Sequence, residues 1–262
     1  MTTKPNGPEK IGPEVAAALA ASPSPAKSSP CETSRNCAAC GLDPDERGVY
    51  LIEGLCPRCR IIRDERIARW DRCGVGVRHR RIRTWAELRA PPTGFPAYRA
   101  AEDALKKFLA DPRGAILVLL GVRGTGKTQL CAVAIAETIA AGRWAMYTTV
   151  ADLLADLKSR YGSGEPSDGD AAWLLHWGNP FLLCIDEIAE RLDSAWSGTM
   201  LAALLDLRYR ELRPTILAGN VSRADLPEVL PASICSRINE HGGVIECNWS
   251  SFREYGHSEE RP

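Results

Sequence analysis

The chemically most informative stretch of the chain is a glycine-rich loop at residues 121–128, which reads GVRGTGKT. Its glycines let the backbone turn so that successive amide N–H groups point inward at a phosphate, and a following helix would add its positive N-terminal end. At this spacing Lys127 reaches the β- and γ-phosphates of a nucleotide, and the Thr128 hydroxyl reaches a magnesium ion. The loop therefore predicts binding of ATP or ADP with Mg²⁺; the alternative is a chance glycine-rich turn. The predicted nucleotide-binding residues are Gly121, Val122, Arg123, Gly124, Thr125, Gly126, Lys127 and Thr128.

A second group of polar residues follows an apolar run that begins at Phe181 and reads FLLCIDE. This apolar run places Asp186 at the carboxyl edge of a buried strand, where it can hold magnesium together with Thr128. Glu187, the next residue, can then polarise an attacking water molecule. The alternative is that the acidic pair only ends the strand and caps a helix.

Three further polar residues are candidates for the same site. Asn220 ends the apolar run TILAGN, where it could hold the water or the γ-phosphate, unless it only forms a turn. Arg237 and Arg253 lie beyond the last strand of the expected sheet. A guanidinium there can stabilise transition-state charge in its own subunit or in a neighbour, although each could also be an ordinary surface arginine.

Two Cys-x-x-Cys pairs, Cys37 with Cys40 and Cys56 with Cys59, are separated by fifteen residues. This spacing is typical of a zinc ribbon or knuckle, in which two tight turns present four thiolates to one tetrahedral ion. Residues 49–52 read as a short strand between the turns. A redox dithiol is the competing interpretation, but that motif usually occurs once, at a βα junction. The ligand set stays open, since the remaining cysteines of this segment are Cys31 and Cys73.

Arginines are dense directly after the second cysteine pair, in IIRDERIARW and in RHRRIR at residues 78–83. They could neutralise phosphates of single-stranded DNA, with Trp70 available for stacking on bases. They could equally lie on a solvated helix and pair with neighbouring acidic residues. The sequence favours neither interpretation.

Composition sets the wider frame. The chain has 262 residues, ten cysteines and a formal net charge of zero, so it has no global signature of a polyanion-binding protein. It contains no apolar window of eighteen residues, and its first residues, MTTKPNGPEK, lack the apolar core of a secretory signal. We therefore expect a cytoplasmic protein without membrane contact, in which paired cysteines bind metal rather than form disulfides.

The elements that must position these residues are helices alternating with short apolar strands from about residue 95 onward. This alternation predicts an α/β fold with a central parallel sheet covered on both faces. The expected organisation is a flexible tail (1–30), a four-cysteine zinc module (31–75), a basic linker (76–94), an ATPase domain (95–255) and a second flexible tail (256–262).

Taken together, these motifs resemble the AAA+ replicative helicase loaders of bacteria and phages, the DnaC/DnaI type. The resemblance covers residues 75–255 and rests on GVRGTGKT, WAMYTTVADLLADLKSRY, LLCIDEI, PTILAGNVSRADL and ICSRINEHGGVIECNWSSFR. It implies an AAA+ P-loop NTPase with ATP hydrolysis, self-assembly through the ATP site, and a replicative helicase hexamer and single-stranded DNA as partners. By resemblance Asp186 and Glu187 are the Walker B pair, Asn220 is sensor 1, Arg237 is an arginine finger and Arg253 is the sensor-2 arginine.

Two other functions stay open at this level. One is an IstB-type AAA+ transposition regulator, which would share the same ATPase core and act on a transposase. The other is a non-enzymatic adaptor that contains zinc and uses the nucleotide as a switch. Intact residues at Lys127, Asp186 and Glu187 argue against a dead nucleotide site.

Overall fold

The computed structural model describes residues 37–40, 51–91, 93–160, 169–189 and 195–253. The chain divides into two compact units, Met1–Pro57 and Arg58–Pro262, and each is considered by itself. The two predicted tails and residues 49 and 50 of the predicted ribbon strand lie outside the described residues. The composition of residues 162–170, GSGEPSDGD, predicts a loop, and most of these residues lie outside the described part as well. No helix in the described part of the chain is both long and apolar enough to cross a membrane.

The larger unit is built on a sheet of five parallel strands in the order β2-β3-β4-β1-β5. The strands are β1 (Ile116–Leu120), β2 (Ala145–Thr149), β3 (Leu182–Asp186), β4 (Thr215–Gly219) and β5 (Gly243–Glu246). Every residue of β1, β3 and β4 is buried, as expected for strands covered on both faces. Because β3, β4 and β1 are neighbours, their carboxyl ends meet at one edge, and the candidate site lies there.

Helices cover both faces of the sheet. In the described part of the chain they are α1 (Pro57–Asp71), α2 (Phe95–Ala110), α3 (Lys127–Ala140), α4 (Val150–Ser159), α5 (Gly169–Gly178), α6 (Ala195–Arg210), α7 (Leu226–Val229) and α8 (Ala232–His241), and a 3₁₀ turn lies at Trp85–Glu87. Capping is visible at α4, where the Thr149 hydroxyl accepts a hydrogen bond from the Asp152 amide at 3.0 Å.

Strand residues alternate between two hydrophobic clusters, as the period of a β-strand requires. Leu117 and Leu119 pack with α2 and α3 on one face, whereas Ile116 and Val118 pack with α4, α5, α6 and α8 on the other. The first cluster also contains buried residues that lie N-terminal to the predicted ATPase domain, namely Trp70, Cys73 and Val75. The compact unit containing the sheet thus begins at Arg58, earlier than the boundary expected at residue 95; the domain limits drawn from the sequence stay a prediction.

Helix α5 was not predicted from the sequence. Its tryptophans pack into the second cluster, where Trp173 is fully buried and its indole N–H donates to the Leu153 carbonyl at 3.2 Å. Trp177 donates to Asp156 at 2.9 Å. These contacts hold α5 against α4, on the face of the sheet opposite α3.

The smaller unit is described at two short stretches. Residues 38–40 form a turn, and the Ala38 amide donates to the Gly54 carbonyl at 2.9 Å. Ile52 and Leu55 form an isolated antiparallel bridge around a tight turn at Glu53 and Gly54. In the described part of residues 49–52 this bridge takes the place of the predicted strand, because the chain reverses after Ile52.

Candidate functional site

The glycine-rich loop connects β1 to α3, as predicted from its spacing. Gly124 and Gly126 have φ angles of 88° and 84°, in the left-handed region that residues with a Cβ rarely adopt. Gly126 is the residue that precedes the first turn of α3, so the amide N–H groups at this helix end are presented at the loop. The backbone therefore has the form of an anion-binding loop at a helix N-terminus.

Lys127 is buried, and three oxygens hold its ammonium group. Its Nζ donates to the carbonyls of Gly121 and Val122 at 2.8 and 2.9 Å and to Oδ1 of Asn220 at 2.8 Å. Burial lowers the pKa of Lys127. Asn220 follows β4, the neighbour of β1, which explains how residues 93 positions apart meet. Lys127 and Asn220 thus face the same point above the loop.

Thr128 and Asp186 meet at the same edge of the sheet. The Thr128 hydroxyl donates to Oδ2 of Asp186 at 2.6 Å, and the Tyr147 hydroxyl donates to the same oxygen at 2.9 Å. A hydroxyl and a carboxylate in contact form the hard oxygen donor set that Mg²⁺ prefers. The pair predicted from the sequence to hold magnesium therefore fits the ion, and Tyr147 is an additional contact that the sequence did not indicate.

Glu187 lies one residue beyond β3 and is exposed. Its backbone N–H donates to Oδ1 of Asp186 at 2.8 Å, and its φ of 61° lies in the left-handed region. Such a conformation is strained for a residue with a Cβ and is typical of functional sites. One oxygen of the Asp186 carboxylate thus contacts Thr128, its partner in the predicted magnesium site, and the other oxygen holds the backbone N–H of Glu187.

A segment near the end of the described chain, residues 249–253, packs on the phosphate loop. The indole N–H of Trp249 donates to the Thr125 carbonyl at 2.8 Å, and the Phe252 amide donates to the Gly124 carbonyl at 2.9 Å. Arg253 lines the cleft above the loop of its own chain. Sequence reasoning found Arg253 but missed Trp249 and Phe252, whose contact with the loop depends on the fold.

The cleft above the loop has a volume of about 630 Å³. Besides the predicted residues, it is lined by side chains from the segment between α1 and α2 and from α2 and α3: Arg78, His79, Ile82, Leu88, Arg89, Tyr98 and Gln129. Gln129 ties this wall to α3, since its amide N–H donates to the His79 carbonyl at 3.3 Å and its Oε1 lies 3.1 Å from His79 Nδ1. The only sequence signal for this wall was the basic run RHRRIR.

Arg237 is not among the residues that line this cleft. It lies on α8, forms an ion pair with Asp206 of α6, and its guanidinium stacks 4.8 Å from the centre of the Tyr209 ring. Its side chain is 23% exposed. The structure therefore separates Arg237 from the phosphate site of its own chain, while it brings Arg253 to that site.

The arginines that follow the second cysteine pair have several acidic and backbone partners within the larger unit. Asp64 pairs with Arg63 at 3.0 Å, and Arg80 donates to the Val75 carbonyl at 2.6 Å. Trp70 is only 5% exposed, so its ring cannot stack on a DNA base. That part of the DNA interpretation is wrong, because Trp70 packs into the core cluster beside the sheet.

The four predicted metal ligands come together. The Sγ atoms of Cys37, Cys40, Cys56 and Cys59 all lie within 4.8 Å of one another, close to the spacing of about 3.8 Å in a tetrahedron of Zn–S bonds of about 2.3 Å. The Cys56 amide donates to Cys37 Sγ at 3.4 Å, which lowers the pKa of the Cys37 thiol to about 6 and favours the thiolate that binds metal. The cluster fits zinc. Cys73 is buried in the first hydrophobic cluster, beside the sheet, and Cys31 lies outside the described residues.

A family model described as IstB-like ATP binding protein matches residues 104–260, which is more than half of the chain. The chain belongs to this family. The match covers the phosphate loop, the acidic strand end and Arg253. The expectation of an α/β P-loop fold of the AAA+ class is confirmed, and the family confirms ATP binding.

Curated proteins similar to this chain include replicative helicase loaders named DnaC. The protein of Escherichia coli K12 is 26% identical over 140 residues, which are 53% of this chain and 56% of that protein. The protein of Buchnera aphidicola subsp. Baizongia pistaciae is 27% identical over 147 residues, or 56% of this chain and 59% of that protein. The chain thus spans little more than half the length of these relatives.

Solved structures share the fold at low identity. The crystal structure of the DnaC helicase loader has a TM-score of 0.56 and 21% identity over 65% of this chain and 99% of that chain. The DnaI crystal structure has a TM-score of 0.52 and 21% identity over 66% of this chain and 95% of that chain. A replication initiator, DnaA bound to AMPPCP and single-stranded DNA, has a TM-score of 0.54 at 18% identity, with 66% and 50% covered. The similarity to these loaders that the motifs indicated is confirmed.

Proposed function

We propose that this protein is an ATPase whose ATP-bound assembly binds a hexameric replicative helicase and delivers it to single-stranded DNA. The observation that carries the ATPase part is the meeting of Lys127, Asn220, Thr128 and Asp186 at one sheet edge, next to Glu187. The loader part is supported by the relatives named DnaC, and it goes beyond what the family match shows for this chain.

In the proposed mechanism, loop amides and Lys127 bind the β- and γ-phosphates. Thr128 and Asp186 would hold Mg²⁺, which supplies further neutralisation of phosphate charge when it is bound. Glu187 orients the attacking water, and Asn220, already bonded to the Lys127 ammonium, is placed to hold the γ-phosphate or that water. Because little covalent chemistry is needed, positioning and charge supply the rate enhancement.

Arg237 and Arg253 receive different roles in this proposal. Arg253 lines the cleft and can contact the phosphates of its own chain. Arg237 is held by Asp206 away from that cleft, so we assign it to the site of a neighbouring subunit. Turnover should then be slow in the isolated subunit and rise on assembly.

The four-cysteine cluster completes the proposal as a protein-binding module. Four thiolates leave no open coordination position, so zinc would supply folding energy rather than catalysis. The metal-stabilised segment would hold the helicase, and the nucleotide site would control release. We keep as part of this proposal the division of the chain into a zinc module, a basic linker and an ATPase domain that the sequence predicts.

The loader role is tested by capture of the replicative helicase of the source cell with the full-length, zinc-replete protein. The experiment compares ATP, ADP and no nucleotide, and it uses Lys127→Ala as a matched variant that lacks the phosphate-binding cation. We expect helicase capture that depends on ATP and is lost in the variant. Capture of a transposase in place of the helicase would refute the loader role and favour an IstB-type regulator.

The hydrolytic role is tested separately with Glu187→Gln, which keeps the side-chain length and removes the charge. We expect steady-state turnover to fall by about 100-fold or more, the usual size of a general-base effect, while ATP still binds. Unchanged turnover would remove Glu187 from catalysis. A wild-type protein that binds ATP without hydrolysing it would support the adaptor interpretation.

A further inference from the structure

Tyr147 lies on β2, which is an edge strand of the sheet. In the parallel register of β2 and β3, Tyr147 is opposite Cys184, two residues before Asp186. Side chains two residues apart on a strand share a face, and the phenol is long enough to span this offset. The ring therefore runs along the face covered by α3 toward the carboxyl end of β3.

The Tyr147 hydroxyl donates to Oδ2 of Asp186 at 2.9 Å, and Thr128 donates to the same oxygen at 2.6 Å. The other oxygen, Oδ1, accepts from the backbone N–H of Glu187 at 2.8 Å. Three donors therefore fix the orientation of this carboxylate. If Mg²⁺ binds, the Thr128 hydroxyl must direct a lone pair at the ion. The Tyr147 hydroxyl does not have to bind the ion and can keep its hydrogen bond to Asp186.

The backbone of Tyr147 is fixed from outside the sheet as well. Its N–H donates to the Cys73 carbonyl at 2.6 Å, and a Cβ placed on Gly74 would lie 2.1 Å from the Tyr147 carbonyl oxygen. The chain after α1 thus packs directly on the edge strand at this residue. The backbone that carries the phenol is therefore held by the sheet on one side and by this chain segment on the other, as a positioning group requires.

A tyrosine phenol has an ordinary pKa of about 10, so it is protonated at neutral pH. Tyr147 can therefore donate its hydrogen bond to the Asp186 carboxylate and adds no negative charge beside the phosphates.

We propose that Tyr147 is a positioning residue of the nucleotide site, which orients the Asp186 carboxylate for Mg²⁺ and, through Asp186, the backbone of Glu187. The inference rests on the proposed function, because it assigns the residue to magnesium-dependent nucleotide binding and hydrolysis. Neither the loop motif nor the acidic strand end includes this residue.

The test uses Tyr147→Phe, which removes only the hydroxyl. The affinity for a fluorescent, non-hydrolysable ATP analogue is measured by titration in excess Mg²⁺ and again in EDTA. We expect the Kd in Mg²⁺ to rise about tenfold, the size of losing one hydrogen bond to a charged group, and the Kd in EDTA to change less than about twofold. The Mg²⁺ concentration for half-maximal ATPase should rise as well.

Thr148→Val is the matched control, since it removes a hydroxyl from the next residue of β2. Within the described part of the chain, this hydroxyl donates to the adjacent Thr149 carbonyl at 3.1 Å. The Thr148→Val variant should leave the ratio of the two Kd values unchanged. Thermal unfolding of both variants separates a structural loss from a positioning effect. Tyr147→Phe with a lowered Tm and the wild-type Kd ratio would overturn the inference.

The Kd ratio also separates this inference from the proposed function. A wild-type protein that binds the analogue in a Mg²⁺-dependent manner but does not hydrolyse ATP would refute the ATPase role, and the ratio in Tyr147→Phe would still decide the role of the tyrosine. Analogue binding that does not depend on Mg²⁺ in the wild-type protein would refute both.

Discussion

Gly124 is the position in the phosphate loop at which a single methyl group should have the largest effect. Its φ of 88° lies in the left-handed region, which costs a residue with a Cβ about 1–2 kcal/mol. In addition, a Cβ built there would lie 2.1 Å from Oγ and 3.1 Å from Cβ of Ser251. Gly124→Ala must therefore strain the loop and move the Ser251 hydroxyl, which accepts a hydrogen bond from the Arg253 amide at 3.2 Å.

Movement of the Ser251 hydroxyl breaks this hydrogen bond, which is worth about 1 kcal/mol. Together with the backbone strain, we expect Gly124→Ala to lower the free energy of unfolding by about 2–3 kcal/mol, measured by urea denaturation. Because Arg253 is the donor of this hydrogen bond, the affinity for ATP should fall as well.

A double-mutant cycle with Ser251→Ala separates the two costs. The second substitution removes the Oγ atom that lies 2.1 Å from the added methyl group but leaves φ unchanged. We expect a favourable coupling energy of about 1–2 kcal/mol, with the strain remaining. A Gly124→Ala protein as stable as the wild type, or a cycle without coupling, would refute the packing of residues 249–253 on the loop.

Three further outcomes follow from single contacts. Arg208→Leu should lower the free energy of unfolding by about 3–5 kcal/mol, since this fully buried guanidinium donates to five backbone carbonyls and a hydroxyl; the exposed Arg210→Leu should cost under about 1 kcal/mol in the same denaturation assay. Trp249→Phe should cost about 1–3 kcal/mol and weaken ATP binding in a titration, because it leaves the Thr125 carbonyl without its indole donor. Cys56→Ala should reduce tightly bound zinc from one equivalent to well below one by elemental analysis, and retention of a full equivalent would contradict the four-thiolate site.

The sequence predicted those parts of the protein whose chemistry is local along the chain. The phosphate loop occupies eight consecutive residues, and each cysteine pair is a single turn, so spacing alone determines their possible geometry. The apolar runs before Asp186 and Asn220 likewise indicate strand ends. The helix after residue 168 was not predicted because it has apolar residues on all sides. Trp173 and Trp177, although four residues apart, therefore do not define a single apolar face.

Tertiary structure decided which distant residues complete the site. Trp249 bonds to a loop carbonyl 124 positions away, and Tyr147 reaches Asp186 over 39 positions, because the strand order brings separate chain segments to one edge. Arg237 shows the same dependence: its ion pair with Asp206 follows from the packing of α8 on α6. Residue spacing defines a loop that can bind phosphate, but contacts between elements far apart in the chain determine what surrounds that loop, and no local pattern encodes them.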